Sequence, residues 1–193
     1  MSYCTAPQLV LASASPRRVE LLRQLGWEFV QQSADIDESM LPGEAPAALV
    51  ERLAREKAAA VAHDWPADTG VLGSDTIVEI DGKVLGKPQH QQQAVAMLEL
   101  LSGRIHRVMT AIALCYRGHC YAKVVTTEVQ FTTLTPTMIA DYWHSGEPQD
   151  KAGSYGIQGL GGNFVERIVG SYSAVVGLPL VETQQLLSST LKS

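Results

Sequence analysis

A mixed α/β fold follows from three features of this 193-residue sequence. Short aliphatic runs alternate with helical segments, two of which start on Ser15-Pro16 and Thr135-Pro136. Two long β-rich runs, residues 105–116 and 121–133, are linked through Arg117-Gly118-His119 and form an antiparallel hairpin, so the sheet is not purely parallel. The composition, 46% hydrophobic and 18% charged, supports one substantial core and is too apolar for disorder. A single domain over residues 1–193 is expected, because no repeat, low-complexity tract or linker interrupts the chain.

The elements follow in order. Residues 8–12 (QLVLA) read as a short apolar strand. A helix starts at Pro16, with Ser15 as N-cap and Gly26 beyond its end. A second helix covers residues 46–63, with Val50, Leu53, Ala54 and Val61 on one face. Residues 71–80 form a strand that Asp81-Gly82 turns into a short partner, residues 83–85. Residues 93–101 are helical and stop at Ser102-Gly103, and the long hairpin follows. Thr135-Pro136 opens a helix to His144, a glycine-rich loop covers 153–162, and a strand at 164–168 precedes a last helix over 180–191.

A net charge of −5 argues against a groove that tracks a nucleic-acid backbone, but not against a small phosphate ligand met by a local cation cluster. No apolar run reaches the roughly 18 residues needed to cross a bilayer. The start MSYCTAPQLV lacks the pattern of a secretory signal. Cys4, Cys115 and Cys120 are neither a disulfide framework nor a zinc site, so a reducing cytoplasm is the expected compartment.

The informative residues are polar ones at positions that ask for apolar ones. Ser13-Ala14-Ser15-Pro16-Arg17-Arg18 follows a strand and puts two arginines in a first helical turn. Each opposes the helix dipole by roughly 0.3–1 kcal/mol, a sign that a bound anion reverses. Lys57 projects from the apolar face of its helix; taken alone, it reads as a lysine snorkelling past the core edge. Asp75 interrupts the strand VLGSDTIVEI, where an unpaired carboxylate is costly, and this favours a role in chemistry over a structural ion pair. Gly73 leaves room beside it for another backbone or a ligand. Lys87 ends the short hairpin that returns toward Asp75. The acidic run Asp35-Ile36-Asp37-Glu38 lacks EF-hand spacing and reads as a solvated loop able to lend one metal-binding carboxylate. The segment GSYGIQG, residues 153–159, has neither P-loop nor dinucleotide spacing; its glycines allow close approach to a flat ligand, and Gln158 is suited to a base edge. His106 has no Ser or Cys partner at a recognisable spacing and reads as a structural, hydrogen-bonded histidine. Four cations (Arg17, Arg18, Lys57, Lys87) with Asp75 and Glu38 suit a metal-bound polyphosphate.

The segments LVLASASPRRVELLRQLG, RLAREKA, GSDTIVEIDGKVLGKP, LSGRIHRVMTAIAL and EPQDKAGSYGIQGLGGNFVERIVGSYSAVVGLPLVET resemble the Maf family of nucleoside triphosphate pyrophosphatases, in order and over nearly the whole chain. The resemblance implies an elongated mixed sheet like that of inosine-triphosphate pyrophosphatase, with flanking helices and a cleft between two lobes. It implies a homodimer, a divalent metal (Mg²⁺ or Mn²⁺), a small nucleoside triphosphate as substrate, and neither a nucleic-acid polymer nor a membrane as partner. It makes Asp75 the proton acceptor for the attacking water, places Ser13, Arg17, Arg18, Lys57 and Lys87 around the phosphates, and aligns Glu38 with an acidic position that joins Asp75 at the metal. Thr76, Gln158 and Arg17 match the specificity set of the branch acting on dTTP and UTP. A sister branch acting on 7-methyl-GTP has Gln after the Asp and an acidic residue in the loop. The remaining alternative is a non-catalytic, nucleotide-binding regulator of septation. Gln89 departs from the family pattern, which has a third basic residue after Lys87-Pro88.

Overall fold

The computed structural model describes residues 9–191, so Cys4 and the expected strand start at Gln8 lie outside the described residues. The elements are β1 (Leu9–Ala12), α1 (Pro16–Gln24), β2 (Phe29–Gln32), α2 (Pro46–Ala62), β3 (Gly70–Ile80), β4 (Lys83–Leu85), α3 (Gln91–Leu101), β5 (Ile105–Tyr116), β6 (His119–Phe131), α4 (Pro136–His144), β7 (Val165–Val169), α5 (Tyr172–Val176) and α6 (Leu180–Leu191). The strands are hydrogen-bonded in the order β2-β1-β3-β5-β6-β7, and β4 pairs with β3. β1 is parallel to both β2 and β3, whereas β4 is antiparallel to β3 and β7 to β6. The mixed sheet expected from the sequence is therefore the one observed.

Two compact units divide the chain. Among the described residues, the first holds residues 9–75, Thr110–Val124 and residues 177–191; the second holds Thr76–Met109 and Val125–Val176. Strands β3, β5 and β6 pass from one unit into the other.

In the first unit the core is built from β1, the buried face of α2 and the apolar residues of β3 and β5, including Leu11, Leu53, Leu72, Ile112 and Leu114. Gly73 explains how closely α2 lies on β3. A Cβ there would sit 2.7 Å from the Ala58 backbone nitrogen, so another backbone, not a ligand, fills the room that this glycine leaves. Lys57, the residue before Ala58, is thereby brought to the strand two residues ahead of Gly73.

The second unit packs Val78, Leu98, Leu101, Phe131, Tyr142, Tyr155 and Phe164 into one apolar cluster, with Phe131 edge-on to Tyr155 and to Phe164. Helix α4 starts as its sequence dictates: Thr135 Oγ1 accepts from the Met138 N–H, and Pro136 occupies the first turn.

Three features differ from expectation. β2 is an additional strand at the end of the sheet order; none of its four residues is buried, so its sequence carries no apolar alternation. Helix α5, of five residues, is also additional. The two-residue Arg117-Gly118 turn, with φ of 49° and 78°, brings Cys115 and Cys120 face to face with Cα atoms 4.0 Å apart, and they form a disulfide. The cysteine spacing argues against a disulfide framework, but hairpin register makes the pair, so the cysteines no longer support the expectation of a reducing compartment.

Candidate active site

The ladder between β1 and β3 ends at the pair Ala12–Gly73. Ser13 follows β1 directly, and Asp75 lies two residues past the ladder on β3. Both occupy the carboxyl end of a parallel strand pair, where open α/β sheets place their ligands.

Asp75 is 6% exposed and Lys57 is 8% exposed. The Lys57 ammonium donates to Asp75 Oδ1 at 2.6 Å and lies 2.6 Å from Glu38 Oε1, so one cation bridges two carboxylates. Lys57 therefore does not snorkel, and Glu38 is not merely solvated, although its side chain remains 53% exposed. The helix periodicity gave Lys57 its direction, but its partners come from a loop and a strand far away in sequence.

Arg18 lies beside this group. Its Nε donates to the Gly177 carbonyl at 2.9 Å, and Nη1 points at Ser13 Oγ at 3.4 Å. Burial pulls the Arg18 guanidinium below its ordinary value; Asp75 and Glu38 pull it up, and Arg17 pushes it down. It remains a cation. The Gly177 carbonyl also accepts from Ser74 Oγ at 3.1 Å, and Gln31 Nε2 donates to the Ser13 carbonyl at 2.9 Å, which fixes the turn between β1 and α1. Ser15, the expected N-cap, makes no side-chain cap bond; Ser13 Oγ instead accepts the Ser15 N–H at 3.1 Å. Arg17 is half-buried in the first turn of α1, and that turn contains no acidic residue.

The first unit thus assembles Ser13, Arg18, Glu38, Lys57 and Asp75, with Arg17 next to Arg18. Thr76, Lys87 and Gln158 belong to the second unit. There Thr76 is half-buried, while Lys87 and Gln158 are exposed. The Gly153 N–H donates to the Gly86 carbonyl at 3.1 Å, which ties the start of the glycine loop to the residue before Lys87. Gln89, where a base was expected, is exposed and serves the start of α3: its N–H donates to Gln93 Oε1 at 2.7 Å.

His106 is structural as expected. Its Nε2 pairs with the Tyr155 hydroxyl at 2.8 Å, and burial pulls the imidazole down to about 4.

Among the described residues, no group of three or more His, Cys, Asp or Glu side chains converges on one point. The donor set present is the pair Asp75 and Glu38. Magnesium is commonly held by one or two carboxylates, with substrate phosphates and water completing its shell, and this pair already converges on a cation. The residues suit such a metal. Sequence reasoning missed Tyr142 and Glu147, which accept from the Gly156, Leu160 and Gly161 amides of the glycine loop.

A family model for Maf-like protein matches residues 8–190. The chain belongs to that family. Among its relatives, a Pseudoalteromonas translucida protein named dTTP/UTP pyrophosphatase is 57% identical, with 94% of this chain and 96% of that protein covered. Proteins of the same name from Vibrio cholerae and Escherichia coli O157:H7 are 56% and 55% identical, covering 95% and 94% of this chain and 98% and 92% of their own. The Ham1 protein of Staphylococcus aureus shares the fold of this Maf-family chain, with a TM-score of 0.56 over 94% of this chain and 98% of that one, at 12% identity. No helix among the described residues is long and apolar enough to cross a membrane.

Proposed function

We propose that this chain hydrolyses dTTP and UTP to the nucleoside monophosphate and pyrophosphate, as the names of its relatives suggest. The observation that carries the reading is the buried Asp75 carboxylate, paired to Lys57 and flanked by Arg18 and Glu38.

A water attacks the α-phosphorus; its proton passes to an Asp75 carboxylate oxygen as the bond from the α-phosphorus to the bridging oxygen breaks and pyrophosphate leaves. Lys57, which shares its charge between Asp75 and Glu38 in the free protein, turns to the phosphate oxygens and so frees Asp75 to accept the proton. Arg17 and Arg18, with Ser13 and the amides at the start of α1, hold phosphate oxygens, where negative charge reverses the dipole penalty that the arginines carry alone. Lys87 adds a further phosphate contact. A divalent cation, Mg²⁺ or Mn²⁺, held by Asp75 and Glu38 supplies charge neutralisation on the phosphates when bound. Thr76, Gln158 and Arg17 select the base: a neutral amide at Gln158 matches the mixed donor and acceptor edge of uracil or thymine, whereas the sister branch carries an acid there. A homodimer and a cytoplasmic location belong to the same reading.

Pyrophosphate release measured with dTTP, UTP, 7-methyl-GTP and ATP, with and without Mg²⁺ or Mn²⁺, tests it. The expected result is metal-dependent turnover of dTTP and UTP well above the other two. Preference for 7-methyl-GTP, or binding of dTTP with no turnover, would overturn it.

A further inference from the structure

The residue Gln158 sits in a stretch whose two ends are tied to one pair of side chains. On the near side, the Gly156 N–H donates to the Tyr142 hydroxyl at 3.0 Å. On the far side, the Leu160 N–H donates to Glu147 Oε2 at 2.8 Å, and the Gly161 N–H donates to Glu147 Oε1 at 3.1 Å. The two anchors are joined, because the Tyr142 hydroxyl donates to Glu147 Oε1 at 2.8 Å. Only Ile157, Gln158 and Gly159 lie between the fixed amides.

The approach is close. A Cβ on Gly159 would lie 2.6 Å from Glu147 Oε1, so a larger residue there would displace the carboxylate from its present place. Glu147 is itself held: Lys151 Nζ donates to its carbonyl at 2.7 Å, and Tyr142 is buried against Phe164. Burial pushes the Glu147 carboxyl up, but the Tyr142 hydroxyl and the Gly161 and Leu160 amides outweigh it and leave the carboxyl below its ordinary value. Burial, followed by Glu147, pushes the Tyr142 phenol well above its ordinary value, which keeps it a donor.

We propose that Glu147 is a positioning residue for base selection: its carboxylate, through Tyr142 and the loop amides, fixes the backbone on both sides of Gln158. This rests on the reading of Gln158 as the base-reading side chain. A carboxylate is the right group for the task, since it accepts three bonds at once and donates none. An amide at position 147 would turn a donor toward one of the three donors it now receives. The clamp acts on the geometry of the loop, so its loss allows Gln158 to wander and weakens discrimination between bases that differ at their hydrogen-bonding edge.

The test compares kcat/KM for UTP and CTP in the full-length wild type, Glu147→Ala, Glu147→Gln, Gln158→Ala and the double variant Glu147→Ala/Gln158→Ala. The expected result is a fall of about tenfold in the UTP-over-CTP ratio for Glu147→Ala, on the scale of one good hydrogen bond, carried by KM for UTP. Glu147→Gln falls in between, and the double variant shows no further loss beyond Gln158→Ala. A purely structural role would lower both substrates in parallel and leave the ratio unchanged. If Glu147→Ala does not fold, Glu147→Gln carries the reading. An unchanged ratio in the Glu147 variants, with a lowered ratio in Gln158→Ala, overturns the clamp alone. An unchanged ratio in Gln158→Ala overturns the base-reading role and the clamp with it.

Discussion

Two polar clusters, one in each unit, are organised in opposite ways. In the first, residues from a turn, a loop, a helix and a strand bring full charges together: Lys57 between Asp75 and Glu38, with Arg18 alongside. In the second, a single carboxylate, Glu147, collects neutral donors from a stretch only 20 residues long, Tyr142 to Gly161. A cluster of charges held by one another is ready to exchange partners when a polyphosphate arrives. A carboxylate saturated with neutral donors has nothing to exchange and serves as an anchor. Substitutions in the first cluster are therefore expected to lower turnover of every nucleotide, and those around the second to change the choice among nucleotides.

The largest expected effect comes from separating α2 from β3. Gly73→Val places side-chain carbon where Ala58 backbone lies, and chemical denaturation should show a loss of several kcal/mol or no folded protein. Lys57→Met removes one partner of a nearly buried pair, at a cost of roughly 3 kcal/mol or more if the carboxylate stays charged. Lys57→Arg should restore stability in part. If Lys57→Met left both stability and turnover unchanged, the bridging role of the lysine would be wrong.

Acid should affect the second unit through His106 first. Its folded value of about 4 lies below the ordinary 6.5. The stability it contributes is thus fully present above pH 6.5 and is lost as the pH falls toward 4, by about 3 kcal/mol in total. Glu147, held below its ordinary value, adds a further loss only as the pH drops through the glutamate range. Thermal melts between pH 7 and 4 should show this decline in the wild type and a flatter profile in His106→Gln. The smallest effect is expected at Glu51. It is paired with Arg55 one turn further along α2, with side chains 40% and 39% exposed, and Glu51→Ala should leave turnover unchanged and barely move the melting midpoint.

Much of this was legible in the sequence for local reasons. Ser15-Pro16 and Thr135-Pro136 announced helices because proline suits a first turn, and Asp75 stood out because a strand interior rejects a lone carboxylate. What stayed hidden depends on pairing between distant segments. Lys57 read alone as a snorkelling side chain, since nothing local shows that Asp75 and Glu38 meet its ammonium. β2 lacked alternation because none of its four residues is buried, and Cys115 with Cys120 needed the hairpin register to become a pair. Glu147 gave no local signal at all: a glutamate before a proline is an ordinary loop residue until the glycine loop folds over it.

The most direct test of the central claim is pyrophosphate release from dTTP by Asp75→Asn, with dTTP binding measured in parallel. The isosteric amide keeps a partner for Lys57 but cannot take a proton from water. Turnover should fall at least about a thousandfold, with nucleotide binding retained within a few fold. Turnover near the wild-type rate in that variant would contradict the claim.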